Sequence, residues 1–184
     1  MGGDSDNPGK HRLLIVDDHP LYRQGLRRFI EAEADLTCCG EADSCQTAFE
    51  TVTQCLPELV ILDLCLHRED GLELLKNLRS RIPSLRVLVL SQKDESAHAE
   101  TSVRAGAMGY IMKEEATEEL LTAIRTVIRG EVYVSRRLGA VILKKFLSGV
   151  KGESTADKLS DRELQVFQFL GSGLGTKEIA AQLH

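Results

Sequence analysis

Five polar residues stand at the ends of short apolar runs. Asp17 and Asp18 follow residues 12–16 (RLLIV), and Asp63 falls near the end of residues 59–64 (LVILDL). Ser91 follows residues 85–90 (LRVLVL), and Lys113 follows residues 108–112 (MGYIM). Each has an ordinary explanation by itself: an aspartate after a strand caps a helix or makes a turn, a serine does the same, and a lysine is a solvated charge. Gathered at one edge they make a different object. Three carboxylates in close company repel one another, and a hard divalent cation such as Mg²⁺ relieves the conflict while keeping room for waters and a phosphoryl oxygen. Phosphoryl transfer to a carboxylate needs positive charge around the equatorial oxygens and an in-line approach. Mg²⁺ would be one positive pole and the Lys113 ammonium the other, with the Ser91 hydroxyl bonding a further oxygen. Asp63 is then the expected nucleophile, because its strand lies between the acidic pair and the Ser/Lys pair.

The elements needed to gather them are written along the first 130 residues, where apolar runs alternate with helical patterns at βα spacing. After the first run, Pro20 suits a first helical turn, with Leu21, Tyr22, Leu26, Phe29 and Ile30 on one helical face. Residues 36–40 form a weaker strand before a helix over 44–54. Helices are expected after the other runs over 71–80, 95–105 and 117–129, the last ended by Gly130. Strands this uniformly apolar imply a parallel sheet covered on both faces by helices. Ligands collect at the carboxyl ends of such strands, so function should sit just after residues 16, 62, 90 and 112.

The chain has 184 residues, 28% charged and 42% hydrophobic, the profile of a soluble globular protein. Its net charge of −5 is uneven: residues 1–130 hold 15 basic and 22 acidic groups, residues 131–184 hold 8 and 6. The acidic part is a poor candidate for gripping a polyanion. No apolar run is long enough to span a membrane, and residues 1–11 lack the order of a secretory signal and read as a disordered leader. The five cysteines (Cys38, Cys39, Cys45, Cys55 and Cys65) form no CxxC pair. Free thiols and a cytoplasmic location are therefore expected.

The segments LLIVDDHP, LVILDLCL, VLVLSQ and GAMGYIMKE, with 45 residues from Asp18 to Asp63 and 22 from Ser91 to Lys113, closely resemble the receiver domain of bacterial two-component response regulators. The resemblance covers about residues 11–130 and implies a flavodoxin-like, doubly wound α/β fold with five parallel strands in the order 2-1-3-4-5. It further implies that a sensor histidine kinase donates a phosphoryl group to Asp63. The Mg²⁺ site would be made by Asp17, Asp18, Asp63 and the Cys65 main-chain carbonyl. Tyr110, three residues before Lys113, would be the switch aromatic that turns inward when Ser91 is drawn to phosphorylated Asp63. Leu66-His67 replaces the family's frequent methionine–proline pair, Glu114 replaces a frequent proline, and Gln92 stands where a small residue is common. These departures bear on rate and phosphoryl lifetime.

After Gly130 the pattern changes. Residues 133–135 are extended, and residues 136–147 carry Leu138, Val141, Ile142 and Phe146 at the spacing of a connecting helix. Residues 149–158 are a polar linker. Ser160-Asp161-Arg162-Glu163 then opens a helix with a capping box, Gly171, Gly173 and Gly175 break it, and Thr176 caps another. Leu159, Arg162, Glu163, Gly173-Leu174 and residues 177–180 (KEIA) resemble the start of the LuxR-type helix-turn-helix of the NarL/FixJ subfamily. The expected organisation is a leader (1–11), a receiver (12–130), a linker with a helix (131–158) and an incomplete all-α DNA-binding domain (159–184). In that domain Thr176 and Lys177 belong to the scaffold, and the recognition helix would follow His184. DNA contact through a complete output domain and homodimerisation on phosphorylation are implied, and a C-terminally truncated chain is expected to bind operator DNA poorly.

Two rival readings differ in class. An aspartyl-phosphate phosphatase on a similar sheet wants a second acid two residues after the nucleophile, where Cys65 stands. A phosphorylation-independent receiver-like interaction module would have lost an acid or the lysine, and none is lost. The expectation is a phosphoacceptor signalling protein, not an enzyme with its own substrate, whose autodephosphorylation is slow.

Overall fold

A computed structural model describes residues 9–66, 69–92, 95–114, 116–135 and 138–140. Most of the expected leader, most of the expected connecting helix, the expected polar linker and residues 159–184, with Thr176 and Lys177, lie outside the described residues, as does His67-Arg68.

The strong apolar runs form the centre of a parallel sheet: β1 (His11–Val16), β3 (Leu59–Leu62), β6 (Arg86–Ser91) and β7 (Gly109–Met112). With β2 (Leu36–Ala42) and a short β8 (Tyr133–Val134), the order is β2-β1-β3-β6-β7-β8. The first five strands reproduce the expected 2-1-3-4-5 winding. The sixth is an addition: the stretch assigned to the linker pairs Gly109 with Tyr133 and Tyr110 with Val134, so the sheet does not end at five strands. A close approach at Gly109 permits this, since a Cβ there would lie 3.1 Å from Tyr133 Cβ. At the other end, β1 starts at His11, inside the stretch read as a leader. The His11 amide donates to Asp35 O at 2.8 Å, and its ring meets Glu58 at 3.0 Å. The weaker pattern of β2 has a local cause: its register against β1 skips Cys39, which breaks the alternation of faces.

Alternate residues of each strand serve opposite layers. Leu13, Ile15, Leu59, Ile61, Leu88, Leu90 and Ile111 pack with α1 (Pro20–Glu31) and α5 (Ala116–Ile128) through Leu26, Ile30, Leu120, Ala123, Ile124 and Val127. Leu14, Val16, Val60, Leu62, Val87, Val89, Tyr110 and Met112 pack with α2 (Cys45–Cys55), α3 (Gly71–Arg81) and α4 (Glu95–Arg104) through Ala48, Val52, Leu74, Leu75, Leu78 and Ala99. Burial of both faces is why the runs are continuously apolar. Helix ends are defined by local chemistry. Pro20 opens α1, Ser44 and Thr47 form a capping box on α2, and Asp70 accepts from Leu72 N–H at the start of α3. Gly130, at φ +85°, closes α5 in the left-handed conformation that glycine adopts without strain.

Just past β3 the chain folds into a two-stranded antiparallel hairpin, β4 (Cys65–Leu66) with β5 (Glu69–Asp70). Glu69 Oε2 accepts the Cys45 amide at 2.5 Å, tying the hairpin to the first turn of α2. Gly71 then lets α3 start against the backbone it has just left. A Cβ at this position would lie 2.6 Å from Leu64 Cα and 2.7 Å from Asp63 O.

Candidate functional site

Register alone sets Asp17 beside Asp63. β1 and β3 pair from Leu13 with Leu59 to Val16 with Leu62, and the Asp63 amide continues the ladder by donating to Val16 O at 2.8 Å. On the other flank, Ser91 pairs with Met112, and the Lys113 amide donates to Ser91 O at 2.9 Å. β6 lies between β3 and β7, so Ser91 ends the strand that separates Asp63 from Lys113. The expected positions therefore meet at the carboxyl edge, flanking the point where the winding reverses on either side of β1.

The side chains close the arrangement. Lys113 Nζ lies 2.6 Å from Asp17 Oδ2 and 2.6 Å from Asp63 Oδ2. Asp63 Oδ1 accepts the Cys65 amide at 3.0 Å, and Asp17 Oδ1 accepts the His19 amide at 2.8 Å. Arg23 reaches from α1 to the Asp17 carbonyl at 2.5 Å, fixing the turn that presents the acidic pair. Asp17, Asp18 and Asp63 are 2%, 7% and 2% exposed. Burial works against the Lys113 charge, but hydrogen bonds to Asp17 and Asp63 and their coulombic pull outweigh it, so its pKa is raised. Tyr110 is wholly buried, facing the α2/α3/α4 layer.

Two residues in the cluster were not assigned to it from the sequence. His19 Nδ1 lies 2.6 Å from Asp18 Oδ1 and 3.4 Å from Asp17 Oδ1. Lys113 Nζ sits 4.5 Å from the centre of the Tyr22 ring, a cation–π contact. Burial, then the charges of Asp17 and Asp63, push the Tyr22 phenol up to about 12. Tyr22 read as one more apolar position on the helix face. The available signal was its place three residues after His19, one helical turn into the helix that opens behind the acidic pair.

Donor atoms of Asp17, Asp18, His19 and Asp63 lie within 4.8 Å of one another, a set that could hold a metal ion. Three buried carboxylates against one lysine leave a surplus of negative charge, and oxygen donors suit a hard cation. Among the described residues no helix is long and apolar enough to cross a membrane. The five cysteines are unbridged.

Comparison with known proteins agrees with this geometry. Residues 13–125 match the response regulator receiver domain family, and residues 157–184 match the luxR family of bacterial regulatory proteins. The chain is 32% identical over 180 residues to the uncharacterized transcriptional regulatory protein YxjL of Bacillus subtilis, covering 96% of this chain and 83% of that one. It is 31% identical over 172 residues to the nitrate/nitrite response regulator protein NarL of Escherichia coli, covering 93% and 80%. Among solved structures, a LuxR-family two-component response regulator from Aurantimonas sp. superposes with a TM-score of 0.72 at 30% identity, covering 75% of this chain and 99% of that one. A receiver sheet joined to a LuxR-type DNA-binding sequence makes this chain a signalling protein and not a typical enzyme: it belongs to the NarL/FixJ response regulators, the two-component proteins that control transcription.

Proposed function

We propose that this chain works in the cytoplasm, that Asp63 is the phosphoacceptor for a sensor histidine kinase, and that Asp17, Asp18, Asp63 and the Cys65 carbonyl hold Mg²⁺. The observation that carries this reading is the direct contact of Lys113 Nζ with both Asp17 and Asp63 at 2.6 Å in a buried edge. The Cys65 amide on Oδ1 and the Lys113 ammonium on Oδ2 fix the plane of the Asp63 carboxylate, so attack begins from a positioned nucleophile. An Asp63 oxygen bonds to phosphorus as the donor's P–N bond breaks, and the donor imidazole leaves with the electron pair. Mg²⁺, held by these carboxylates, would supply further positive charge to the transferred group. Lys113 neutralises charge on the transferred group, and the Ser91 hydroxyl donates to one of its oxygens. Autophosphorylation from small acyl phosphates and slow autodephosphorylation use the same groups.

Tyr110 and Ser91 form the switch. With Tyr110 wholly buried beside Val89, its partner in β6, the inward rotamer fits the core. Phosphorylated Asp63 drawing Ser91 towards it favours this inward state over an outward one, a shift between pre-existing populations. The shift remodels the face around α4 and β7, phosphorylation favours homodimerisation, and a complete output domain, with its scaffold near Thr176 and Lys177, engages DNA.

The test is acid-labile labelling by acetyl phosphate in the presence and absence of Mg²⁺. Labelling that needs Mg²⁺ and vanishes in Asp63→Asn is expected. Equal labelling of wild type and Asp63→Asn would refute the assignment of Asp63, and no labelling of either would favour a phosphorylation-independent module.

A further inference from the structure

His19 is the group in the acidic cluster that phosphoryl transfer leaves unused. It occupies the N-cap of α1 in an extended conformation (φ −90°, ψ 105°), yet its ring makes no capping hydrogen bond. Its backbone is held at both ends, by the hydrogen bond its N–H donates to Asp17 Oδ1 at 2.8 Å and by Pro20 at the helix entrance. The ring is thereby set against the acids at little entropic cost. Nδ1 approaches Asp18 Oδ1 to 2.6 Å and Asp17 Oδ1 to 3.4 Å. The carboxylates are buried while the His19 side chain is 55% exposed, so the imidazole forms the solvent-facing wall of the cluster.

We propose that His19 supplies a nitrogen ligand to the cation held by Asp17, Asp18 and Asp63, biasing the site from Mg²⁺ towards divalent first-row transition ions, Mn²⁺ and its heavier neighbours. The inference rests on the reading of these acids as the metal site. Its chemistry is specific to the imidazole. Mg²⁺ selects oxygen and dehydrates reluctantly, whereas imidazole nitrogen strengthens binding along the series from Mn²⁺ upward. Bond lengths of about 2.0–2.2 Å to such an ion put neighbouring donors about 3 Å apart and opposite donors about 4 Å apart. The 4.8 Å envelope of the four donor atoms is only slightly wider than the separation of opposite donors.

The experiment uses the whole 184-residue chain with Mn²⁺ as probe, reading nitrogen coupling by electron spin echo envelope modulation and affinity by calorimetry. Wild type is expected to show ¹⁴N modulation that disappears in His19→Asn and persists in His67→Asn, which changes the histidine four residues after Asp63 in sequence. Asn is a favoured N-cap residue, so His19→Asn keeps the start of α1. The same change should weaken Mn²⁺ binding on the order of 10-fold and Mg²⁺ binding by less than about 3-fold. Mn²⁺ that binds only when Asp18 is intact, but without nitrogen modulation or with modulation surviving His19→Asn, overturns the His19 ligand and leaves the acidic site standing. Mn²⁺ binding indifferent to Asp18→Asn overturns both.

Discussion

The two ends of the sheet each hold a base between two acids, and they differ in what surrounds them. At the carboxyl edge, Lys113 bridges Asp17 and Asp63 with side chains 4%, 2% and 1% exposed. At the amino edge, Arg125 of α5 bridges Glu33 and Asp35 in the connection before β2, with side chains 38%, 29% and 44% exposed. Contact distances are alike, 2.6 Å for both lysine contacts and 2.6 and 2.8 Å for the arginine. The energies are not. Water and salt screen the exposed cluster, which contributes little. The buried one keeps its fields at nearly full strength and costs much to leave half-made. Only the latter environment turns charge into chemistry.

Breaking the buried cluster should have the largest effect. Lys113→Met strands Asp17 and Asp63 together and should cost about 3–5 kcal/mol in denaturant unfolding. Millimolar Mg²⁺ should recover part of that loss, and a stability unchanged from wild type would mean water already screens the site. Next comes a change that moves the acids without touching their charge. Gly71→Ala forces a Cβ against Leu64 and the Asp63 carbonyl, at about 1–3 kcal/mol, and should slow acetyl phosphate labelling at saturating Mg²⁺. Unaltered labelling would show that the loop yields freely.

The smallest effect belongs to the exposed end. Arg125→Ala should cost under about 1 kcal/mol, less as salt rises, with labelling unchanged. Its pH dependence has a defined sign. The Arg125 hydrogen bond holds the Asp35 carboxyl at about 2, below its ordinary 3.8. A lowered folded-state pKa stabilises above the ordinary value and fades as pH falls through about 2. Wild type and Arg125→Ala should therefore differ most above pH 4 and converge towards pH 2, followed by thermal melts at each pH. A gap that widens in acid would contradict the assignment.

Much of this was legible in the sequence because burial on both faces writes strands as unbroken apolar runs. The residues after those runs fall at one edge by parallel register, so Asp17, Asp63, Ser91 and Lys113 could be grouped from their spacing. The hairpin of Cys65–Leu66 with Glu69–Asp70 carries no periodicity over two-residue strands. Tyr133–Val134 reads as extended in the sequence, but its pairing with Gly109 and Tyr110 has no local signal. Glu69 reaching the Cys45 amide is a long-range cap that no local motif encodes. Tyr22 looked apolar because its ring is used apolarly in the helix face, while the same ring supports the Lys113 ammonium. His19 stood in plain view after the acidic pair, but its ring could be aimed only by the turn that bonds its own amide to Asp17.

The proposal that the buried cluster is one phosphoacceptor site with Asp63 as its nucleophile can be put to a chemical test. Wild type is labelled with acetyl phosphate and Mg²⁺, reduced with borohydride and its peptides sequenced by mass spectrometry, because an aspartyl phosphate is converted to homoserine. Homoserine is expected at position 63 and at no other aspartate. Homoserine at position 17 or 18, or a stable label that resists borohydride, would contradict it.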